Sequence, residues 1–254
     1  MLLAIDAGNT HTVVGLFDGR ELVDHWRIAT NSERTSDELA LMIQQFLGFH
    51  GFSFDDAITG VAVSSGVPSV TAALREMTDR YFGFPAVVLE PGVRSGMPIL
   101  YDNPKEVGAD RIANAVGAFD LHGGPTIVVD FGTATTIEAI SAKGEYLGGA
   151  IVPGIEISLD ALFGRAAGLR RVELVAPRHI IGKSTLESIQ SGVIYGFSGQ
   201  VDALVERFQA ELGPCAVIAT GGLAELVGPH TRTVQHYEPW LTLYGLRIVF
   251  ERNK

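Results

Sequence analysis

The chain begins Met1-Leu-Leu-Ala-Ile-Asp6-Ala-Gly8-Asn9-Thr10-His11-Thr12-Val-Val-Gly15-Leu-Phe17. A short apolar run ends in the carboxylate of Asp6 and turns on Ala-Gly-Asn-Thr. A second apolar run then reaches Asp18-Gly19, a dipeptide favoured in tight hairpins. Such a turn can hold a polyphosphate, because backbone N–H groups freed by glycine bind phosphate oxygens while an acidic side chain holds the accompanying metal ion. Taken alone, the stretch also fits ordinary turn chemistry.

The same plan recurs at Thr126-Ile-Val-Val-Asp130-Phe-Gly132-Thr133-Ala-Thr-Thr-Ile-Glu-Ala-Ile140. An apolar run again ends in Asp-x-Gly and a hydroxyl-rich turn, and β-forming residues lead on to the turn residues Lys143-Gly144. A third glycine turn, Gly221-Gly222-Leu223, follows the apolar run 215–220. Because internal repetition indicates repeated structural units, the chain is expected to contain two similar domains.

Two Asp-x-Gly hairpins followed by a late Gly-Gly turn resemble the phosphate-1, phosphate-2 and adenosine motifs of the actin-like ATPase superfamily, which includes sugar kinases and heat-shock ATPases. The resemblance implies an α/β fold of duplicated actin-like (RNase H-like) domains, with mixed β-sheets flanked by helices and a nucleotide cleft between the domains. We therefore expect an N-terminal domain over residues 1–115, with the first phosphate loop and a substrate loop. A C-terminal domain over residues 116–254 is expected to carry the second phosphate loop and the adenosine turn.

Composition narrows the classes of function. The 254 residues are 46% hydrophobic and carry a formal net charge of −10, which argues against a nucleic-acid partner. The single cysteine rules out an intrachain disulfide framework and fits a reducing cytosol. The first apolar run is too short for a signal-peptide core or a membrane span. We therefore expect a cytoplasmic protein that acts without a membrane.

The remaining helix and strand signals follow the order of an actin-like half-domain. Residues 21–28 are predicted to form a third antiparallel strand, and Thr35-Ser-Asp-Glu38 is a capping box that opens a helix. A buried strand at 58–64, a helix from Pro68 and a strand at 86–89 indicate parallel pairing in a sheet covered on both faces. In the second half, a capping box at Ser184-Thr-Leu-Glu187 opens a long helix to about residue 212. Pro239 is predicted to open a final helix that is apolar enough to be buried, either within the chain or against another subunit.

One long segment, residues 90–107, has no sustained period. A loop of this length in a compact domain is typical of a binding element. It carries Tyr101 and ends in Gly108-Ala109-Asp110-Arg111, after which an amphipathic helix is predicted. Asp110 and Arg111 therefore lie in the first turn of a helix. An acidic residue there can also serve only to stabilise the helix N-terminus.

Three motifs in this order resemble the type III pantothenate kinases over essentially the whole chain: Asp6-Ala-Gly-Asn-Thr10, Gly108-Ala-Asp-Arg111 after the loop with Tyr101, and Asp130-Phe-Gly-Thr133. The resemblance implies ATP-dependent phosphorylation of pantothenate to 4'-phosphopantothenate, the first step of coenzyme A biosynthesis. It also implies a homodimer. The chain resembles, too, family members first described as transcriptional-activator accessory factors.

The resemblance further implies a role for each matching residue. Asp110 is the catalytic base, Asp130 holds a monovalent cation (potassium or ammonium), and Asp6 holds Mg²⁺ through phosphates or water. The residues implied to bind ATP are Asp6, Ala7, Gly8, Asn9, Thr10, His11, Thr12, Val13 and Thr133. The residues implied to bind pantothenate are Tyr101, Gly108, Ala109, Asp110, Arg111 and Thr185.

The chemistry of phosphoryl transfer is consistent with these roles. Its transition state is loose, so catalysis is chiefly the positioning of the acceptor hydroxyl and the neutralisation of spreading charge. A carboxylate such as Asp110 suffices as base when the proton leaves late, and its hydrogen bond also aims the alcohol. The guanidinium of Arg111 suits the carboxylate of pantothenate. Acidic groups such as Asp6 and Asp130 repel a triphosphate unless cations lie between them, so we expect Mg²⁺ and a monovalent ion.

Two other functions remain open at this point. A nucleotide hydrolase or phosphatase of the actin-like superfamily would use the same carboxylates to orient water instead of an alcohol. A non-catalytic nucleotide-binding accessory factor of a transcriptional regulator would keep the loops without turnover, although the intact Asp110 argues against it.

Overall fold

The computed structural model describes residues 1–52, 57–166 and 168–254. The chain forms two compact units: unit 1 comprises Met1–Gly117 and Leu241–Lys254, and unit 2 comprises Ala118–Trp240. The sequence pattern placed the division at residue 115 and assigned residues 241–254 to the C-terminal domain. The compact units therefore differ from the predicted domains chiefly in the position of the last helix.

Unit 1 is built on a mixed sheet of five strands: β1 (Leu2–Ala7), β2 (His11–Asp18), β3 (Glu21–Ala29), β4 (Gly60–Ser65) and β5 (Val87–Val88). Their order across the sheet is β3-β2-β1-β4-β5. The first three strands are antiparallel neighbours, because tight turns join them, and Gly19 supplies the left-handed residue (φ +57°) in the predicted Asp-Gly turn. β4 pairs parallel to β1, and β5 pairs parallel to β4.

The parallel strands of unit 1 are joined through helices, as parallel crossovers require. α1 (Ser36–Gly48) begins at the predicted capping box, in which Thr35 and Glu38 satisfy each other's backbone N–H groups. α2 (Pro68–Met77) begins at the predicted proline and continues into a π-helical turn, Thr78–Phe82. Both helices cover one face of the sheet, and the core between them is aliphatic: Leu3, Ile5, Val61, Val63, Leu39, Ile43 and Leu74.

Unit 2 repeats this strand plan. Its strands are β6 (Thr126–Phe131), β7 (Ala134–Ile140), β8 (Tyr146–Pro153), β9 (Ala216–Thr220) and β10 (His236–Tyr237). They lie in the order β10-β9-β6-β7-β8, which is the order of unit 1 viewed from its other edge. β6, β7 and β8 are antiparallel neighbours, while β9 is parallel to β6 and β10 is parallel to β9. The duplication expected from the two Asp-x-Gly hairpins is therefore confirmed.

Four helices accompany the second sheet: α3 (Ala109–His122), which begins in unit 1, α4 (Ile155–Arg165), α5 (Thr185–Leu212) and the short α6 (Ala224–Val227). α5 begins at the predicted cap, where the Ser184 hydroxyl accepts a hydrogen bond from the backbone N–H of Glu187 at 3.2 Å. The core of unit 2 contains Ile127, Val129, Phe131, Val193, Ile194 and Val201. No helix in the described part of the chain has the length and apolar character that a bilayer crossing requires.

The final helix, α7 (Leu241–Arg252), packs within unit 1 against β1, β2 and β4. Glycines make this packing close: a Cβ at Gly60 would lie 2.0 Å from the Phe250 ring, and one at Gly245 would lie 1.8 Å from the carbonyl oxygen of Ala113. The apolar face of α7 is thus buried inside unit 1 and needs no second subunit. Sequence order could not reveal this, because the packing depends on a return across more than one hundred residues.

Candidate active site

The first Asp-x-Gly carboxylate is held by a neighbouring strand. Asp6 is the penultimate residue of β1, and parallel pairing places Ser64 of β4 beside it. The Ser64 hydroxyl donates to Asp6 Oδ1 at 2.5 Å, which fixes the orientation of the carboxylate. Ser64 is absent from the residues predicted for the site, although a strand is predicted there, because the strand register is set only by tertiary pairing.

The turn after Asp6 is closed at its base and exposed at its tip. The backbone N–H of Gly8 donates to the carbonyl oxygen of His11 at 3.0 Å, and the carbonyl of Thr10 accepts from Thr30 at 2.9 Å. The side chains of Asn9, Thr10 and His11 are exposed. The structure therefore presents polar side chains at this end of β1, while the backbone N–H of Gly8 is used within the turn.

Two of the residues predicted to bind ATP have side chains that are buried in unit 1. Ala7 belongs to the core. Thr12 is buried, and its hydroxyl lies 2.8 Å from the hydroxyl of Thr30, with which it shares a hydrogen bond. The prediction placed the Thr12 hydroxyl at the ligand end of the sheet, whereas the structure uses it to join β2 to the segment after β3.

The second Asp-x-Gly carboxylate lies against the late glycine turn. Asp130 is the penultimate residue of β6 and pairs in register with Thr220 of β9. Gly221 follows with φ +91°, and a Cβ there would lie 2.3 Å from Asp130 Oδ1 and 2.7 Å from the backbone of Phe131. The predicted second phosphate turn and the predicted adenosine turn are therefore in direct contact within unit 2.

The exposed Thr133 is backed by the start of α4. Its carbonyl oxygen accepts a hydrogen bond from the backbone N–H of Gly154 at 3.1 Å. A Cβ at Gly154 would lie 2.1 Å from that oxygen, so only glycine permits the approach. Gly154 caps an eleven-residue helix without a side-chain hydrogen bond. No periodic pattern in the sequence predicts this contact.

The predicted catalytic carboxylate lies in the first turn of α3. Asp110 is exposed, and its Oδ1 accepts the backbone N–H of Arg111 at 2.9 Å. A Cβ at Gly108 would lie 2.5 Å from the same oxygen, so the carboxylate folds back over the glycine. Arg111 is only 8% exposed. The Asp110 side chain is therefore oriented by the start of α3, and because it is exposed it can contact a ligand.

The other residues predicted to bind pantothenate lie on two different units. Tyr101 is half-buried in the irregular 90–107 loop of unit 1. Thr185 is the first residue of α5 in unit 2 and lines a cavity of about 840 Å³ together with Ser158, Lys183 and Ser188. Leu159, Leu162 and Phe197 supply part of its apolar wall.

The two Asp-x-Gly turns each supply one carboxylate, Asp6 and Asp130, as a possible cation ligand. Among the described residues, no group of three or more His, Cys, Asp or Glu side chains is arranged to hold a metal ion. Mg²⁺ in kinases is usually held by one or two carboxylates, phosphates and water, and a single oriented Asp6 suits that arrangement. At Asp130, the absence of a Cβ at Gly221 lets a carboxylate oxygen lie close to the glycine backbone, and carboxylate oxygens are ligands that hard cations prefer.

Known proteins match most or all of the chain. A family model described as type III pantothenate kinase matches residues 2–207. The type III pantothenate kinase of Streptomyces griseus is 58% identical over 261 residues, covering 100% of this chain and 98% of the relative.

Solved structures share the fold at low sequence identity. The activator of the 2-hydroxyisocaproyl-CoA dehydratase from Clostridium difficile, solved with bound ADPNP, has a TM-score of 0.59 at 13% identity and covers 98% of this chain and 93% of its own. An inorganic polyphosphate/ATP-glucomannokinase from Arthrobacter has a TM-score of 0.52 at 16% identity, with 100% and 99% covered. Together with the duplicated strand order, these matches confirm the predicted actin-like kinase fold.

Proposed function

The chain belongs to the type III pantothenate kinase family, and we propose how its residues divide the work of that reaction. The enzyme transfers a phosphoryl group from ATP to pantothenate in coenzyme A biosynthesis. The observation that carries this assignment is 58% identity to a type III pantothenate kinase over the full chain.

Residues 6–13 are proposed to bind the phosphates of ATP, with Ala7 and Thr12 contributing backbone groups because their side chains are buried. The support is local: a glycine turn with an exposed polar tip follows a carboxylate that Ser64 already orients. A fixed carboxylate loses little further freedom when it binds a hydrated ion, so Asp6 is assigned to Mg²⁺. Mg²⁺ and a monovalent cation, when bound with ATP, supply the positive charge that offsets the charge of the transferred group.

The second hairpin is proposed to complete the nucleotide site through Asp130 and Thr133. Asp130 is assigned to the monovalent cation, since its carboxylate lies against the Gly221 turn and supplies the oxygen that a hard cation prefers. Thr133 is assigned to ATP because its turn is exposed and its backbone is fixed by Gly154. Contact between this hairpin and the Gly-Gly turn supports a joint role in holding one ligand.

Asp110 is proposed to accept the proton of the pantothenate hydroxyl. The hydrogen bond from the Arg111 backbone orients its carboxylate, and orientation is what a loose phosphoryl transfer needs most. The guanidinium of Arg111, screened from water by burial, is assigned to the pantothenate carboxylate. Tyr101, Gly108, Ala109 and Thr185 are proposed as further contacts of this substrate.

The test is a coupled assay with pantothenate, ATP, Mg²⁺ and potassium, each omitted in turn. Asp110→Asn is expected to lower kcat by roughly 10²- to 10⁴-fold, while ATP affinity stays within about twofold. Asp102→Asn, which changes an exposed acid in the preceding loop, is the matched control. Turnover retained by Asp110→Asn would refute the base assignment, and ATP consumption without pantothenate would favour a hydrolase.

We also propose that the enzyme is a cytoplasmic homodimer joined through unit 2. Exposed apolar side chains cluster in sequence on α4, the start of α5 and the segment between them: Ile157, Leu162, Val175, Ile180, Ile181 and Leu186. Exposed apolar side chains are typical of an interface where they lie together on the surface. Ile181→Asp is expected to shift sedimentation toward the monomer, whereas Phe49→Asp, at a similarly exposed position in unit 1, should not. A dimer undisturbed by Ile181→Asp would contradict this interface.

A further inference from the structure

The residue that follows α7 holds the 90–107 loop. Asn253 Oδ1 accepts the backbone N–H of Arg94 at 3.1 Å, and its Nδ2 donates to the carbonyl of Arg94 at 2.9 Å. Nδ2 also donates to the carbonyl of Val249 at 2.8 Å. The amide thus satisfies both backbone groups of one loop residue, as a neighbouring strand would, while it stays anchored to its own helix.

A second contact lies two residues further along the loop. Gly96 has φ +77°, and a Cβ there would lie 1.0 Å from a guanidinium nitrogen of Arg252. Between the two contacts, Ser95 Oγ accepts the backbone N–H of Met97 at 3.2 Å and donates to its carbonyl at 3.1 Å. Met97 itself is buried. Residues 94–97 are therefore fixed from α7 and from the interior of unit 1.

The other end of the loop is fixed by its own residues. Asn103 Oδ1 accepts the backbone N–H of Lys105 at 3.3 Å, and its Nδ2 donates to Glu106 at 2.7 Å. Val107 is buried just before α3. Tyr101 lies between these two anchors. The first anchor is made by a residue distant in sequence, so α7 contributes to fixing the segment that leads to Tyr101.

α7 connects this anchor to the strands of the first Asp-x-Gly turn. The helix packs against β1 and β4, whose ends carry Asp6 and Ser64. Its last turn and the following Asn253 meet the loop at Arg94 and Gly96. One rigid helix therefore contacts both elements of unit 1 to which ligand binding has been assigned.

We propose that Asn253 and Arg252 are positioning residues for pantothenate, which hold residues 94–97 so that Tyr101 is ordered before the substrate arrives. The inference rests on the proposed contact of Tyr101 with pantothenate. A loop without regular structure must lose conformational freedom when it binds, and prior ordering removes part of that cost. Loss of the clamp therefore weakens pantothenate binding and leaves the phosphoryl-transfer step largely unchanged.

The first experiment compares Asn253→Ala, Asn253→Asp and Lys254→Ala in steady-state kinetics. Asn253→Ala is expected to raise the KM for pantothenate about tenfold, which is about 1.4 kcal/mol, with kcat and the KM for ATP within about twofold. Asn253→Asp keeps an acceptor for the Arg94 N–H but loses the amide donor, so its effect should be intermediate. Lys254→Ala is the matched control, since Lys254 lies over the Phe250 ring instead of on the loop.

Hydrogen exchange tests the clamp without turnover. Amides of residues 92–101 should exchange faster in Asn253→Ala than in the unchanged protein, whereas those of α1 should not change. A purely destabilising substitution would raise exchange throughout unit 1. Unaltered exchange at residues 92–101 would overturn the proposal.

A double-mutant cycle shows whether the clamp acts through Tyr101. Tyr101→Ala should raise the KM for pantothenate, and addition of Asn253→Ala should then change it by less than about twofold. Full additivity of the two effects would overturn the proposed route. An unchanged KM in Tyr101→Ala would instead refute the proposed substrate contact, and the exchange experiment would still decide whether the clamp exists.

Discussion

The two Asp-x-Gly hairpins share one backbone plan, yet their carboxylates have different surroundings. Asp6 is in register with Ser64 and accepts its hydroxyl hydrogen at 2.5 Å. Asp130 is in register with Thr220, and the next residue, Gly221, approaches its Oδ1 so closely that a Cβ there would lie 2.3 Å from it. The position that follows Ser64 in β4 is a serine, not a glycine. The duplication thus fixes where the acids lie, while residues at the end of the neighbouring strand decide what each carboxylate packs against: a serine hydroxyl at Asp6 and a glycine backbone at Asp130.

The largest expected effect distinguishes Asp6 from Asp130 by the cation that each is proposed to bind. Asp6→Asn and Asp130→Asn should each lower kcat/KM by roughly 10²- to 10³-fold, because each removes charge stabilisation at the phosphates. Asp6→Asn should raise the Mg²⁺ concentration needed for half-maximal rate, and Asp130→Asn should remove activation by potassium. Titration of both ions against initial rate measures the difference. Identical ion dependence in the two variants would contradict the division of roles.

The second prediction tests the close packing of Gly221 against Asp130. Gly221→Ala should lower the free energy of unfolding by about 3 kcal/mol, because it combines a positive φ with a clash against backbone atoms. Gly66→Ala is the matched control after β4, where a Cβ would meet no atom within 4 Å. Denaturant unfolding of both variants measures the contrast. Equal stabilities would show that Gly221 is not required for close packing.

A third prediction concerns acid stability of unit 2. Burial disfavours the charged form of Asp202, but hydrogen bonds from Thr233 and Arg232 outweigh it, so its pKa lies below the usual value. A depressed pKa contributes stability above the unfolded value of about 3.9, and this is lost as pH falls through the folded pKa. Asp202→Asn should cost about 2 kcal/mol at neutral pH, since bonds to a buried charge are lost.

The measurement is amide exchange of each unit as a function of pH. Unit 2 of the unchanged protein should lose protection in acid, and the difference from Asp202→Asn should shrink as pH falls. Asp160→Asn, at an exposed ion pair of the same unit, is the control and should have little effect. A stability gap that stays constant with pH would contradict a role for the charge.

The smallest effect concerns the hydroxyl that orients Asp6. Ser64→Ala should lower the free energy of unfolding by about 1 kcal/mol. It should also slightly raise the Mg²⁺ concentration needed for half-maximal rate, because Asp6 loses the hydrogen bond that orients its carboxylate. Ser69→Ala, on the exposed side of α2, should change neither. Thermal unfolding and the same Mg²⁺ titration measure these effects. An unchanged Mg²⁺ requirement would show that orientation of Asp6 by Ser64 is unimportant.

Local chemistry made several elements predictable. The capping box at Thr35, the side-chain cap at Ser184 and the proline at residue 68 begin helices at the predicted positions. Each signal acts through neighbours three or four residues away, so the chain carries it without help from the fold. The strand predicted at residues 86–89 is shorter in the structure, Val87–Val88, because a sheet edge offers pairing on one side only.

The sequence by itself determined the duplication, the two acidic turns and the helix starts, because these depend on short-range patterns that occur twice. Tertiary structure alone decided that Ser64 orients Asp6, that Gly221 lies against Asp130, and that α7 returns to unit 1 to hold Arg94. Those contacts join residues at least 58 positions apart. Strand register and helix packing bring these residues together. Both depend on which apolar faces pack against each other in the folded chain, so short-range sequence patterns do not predict them.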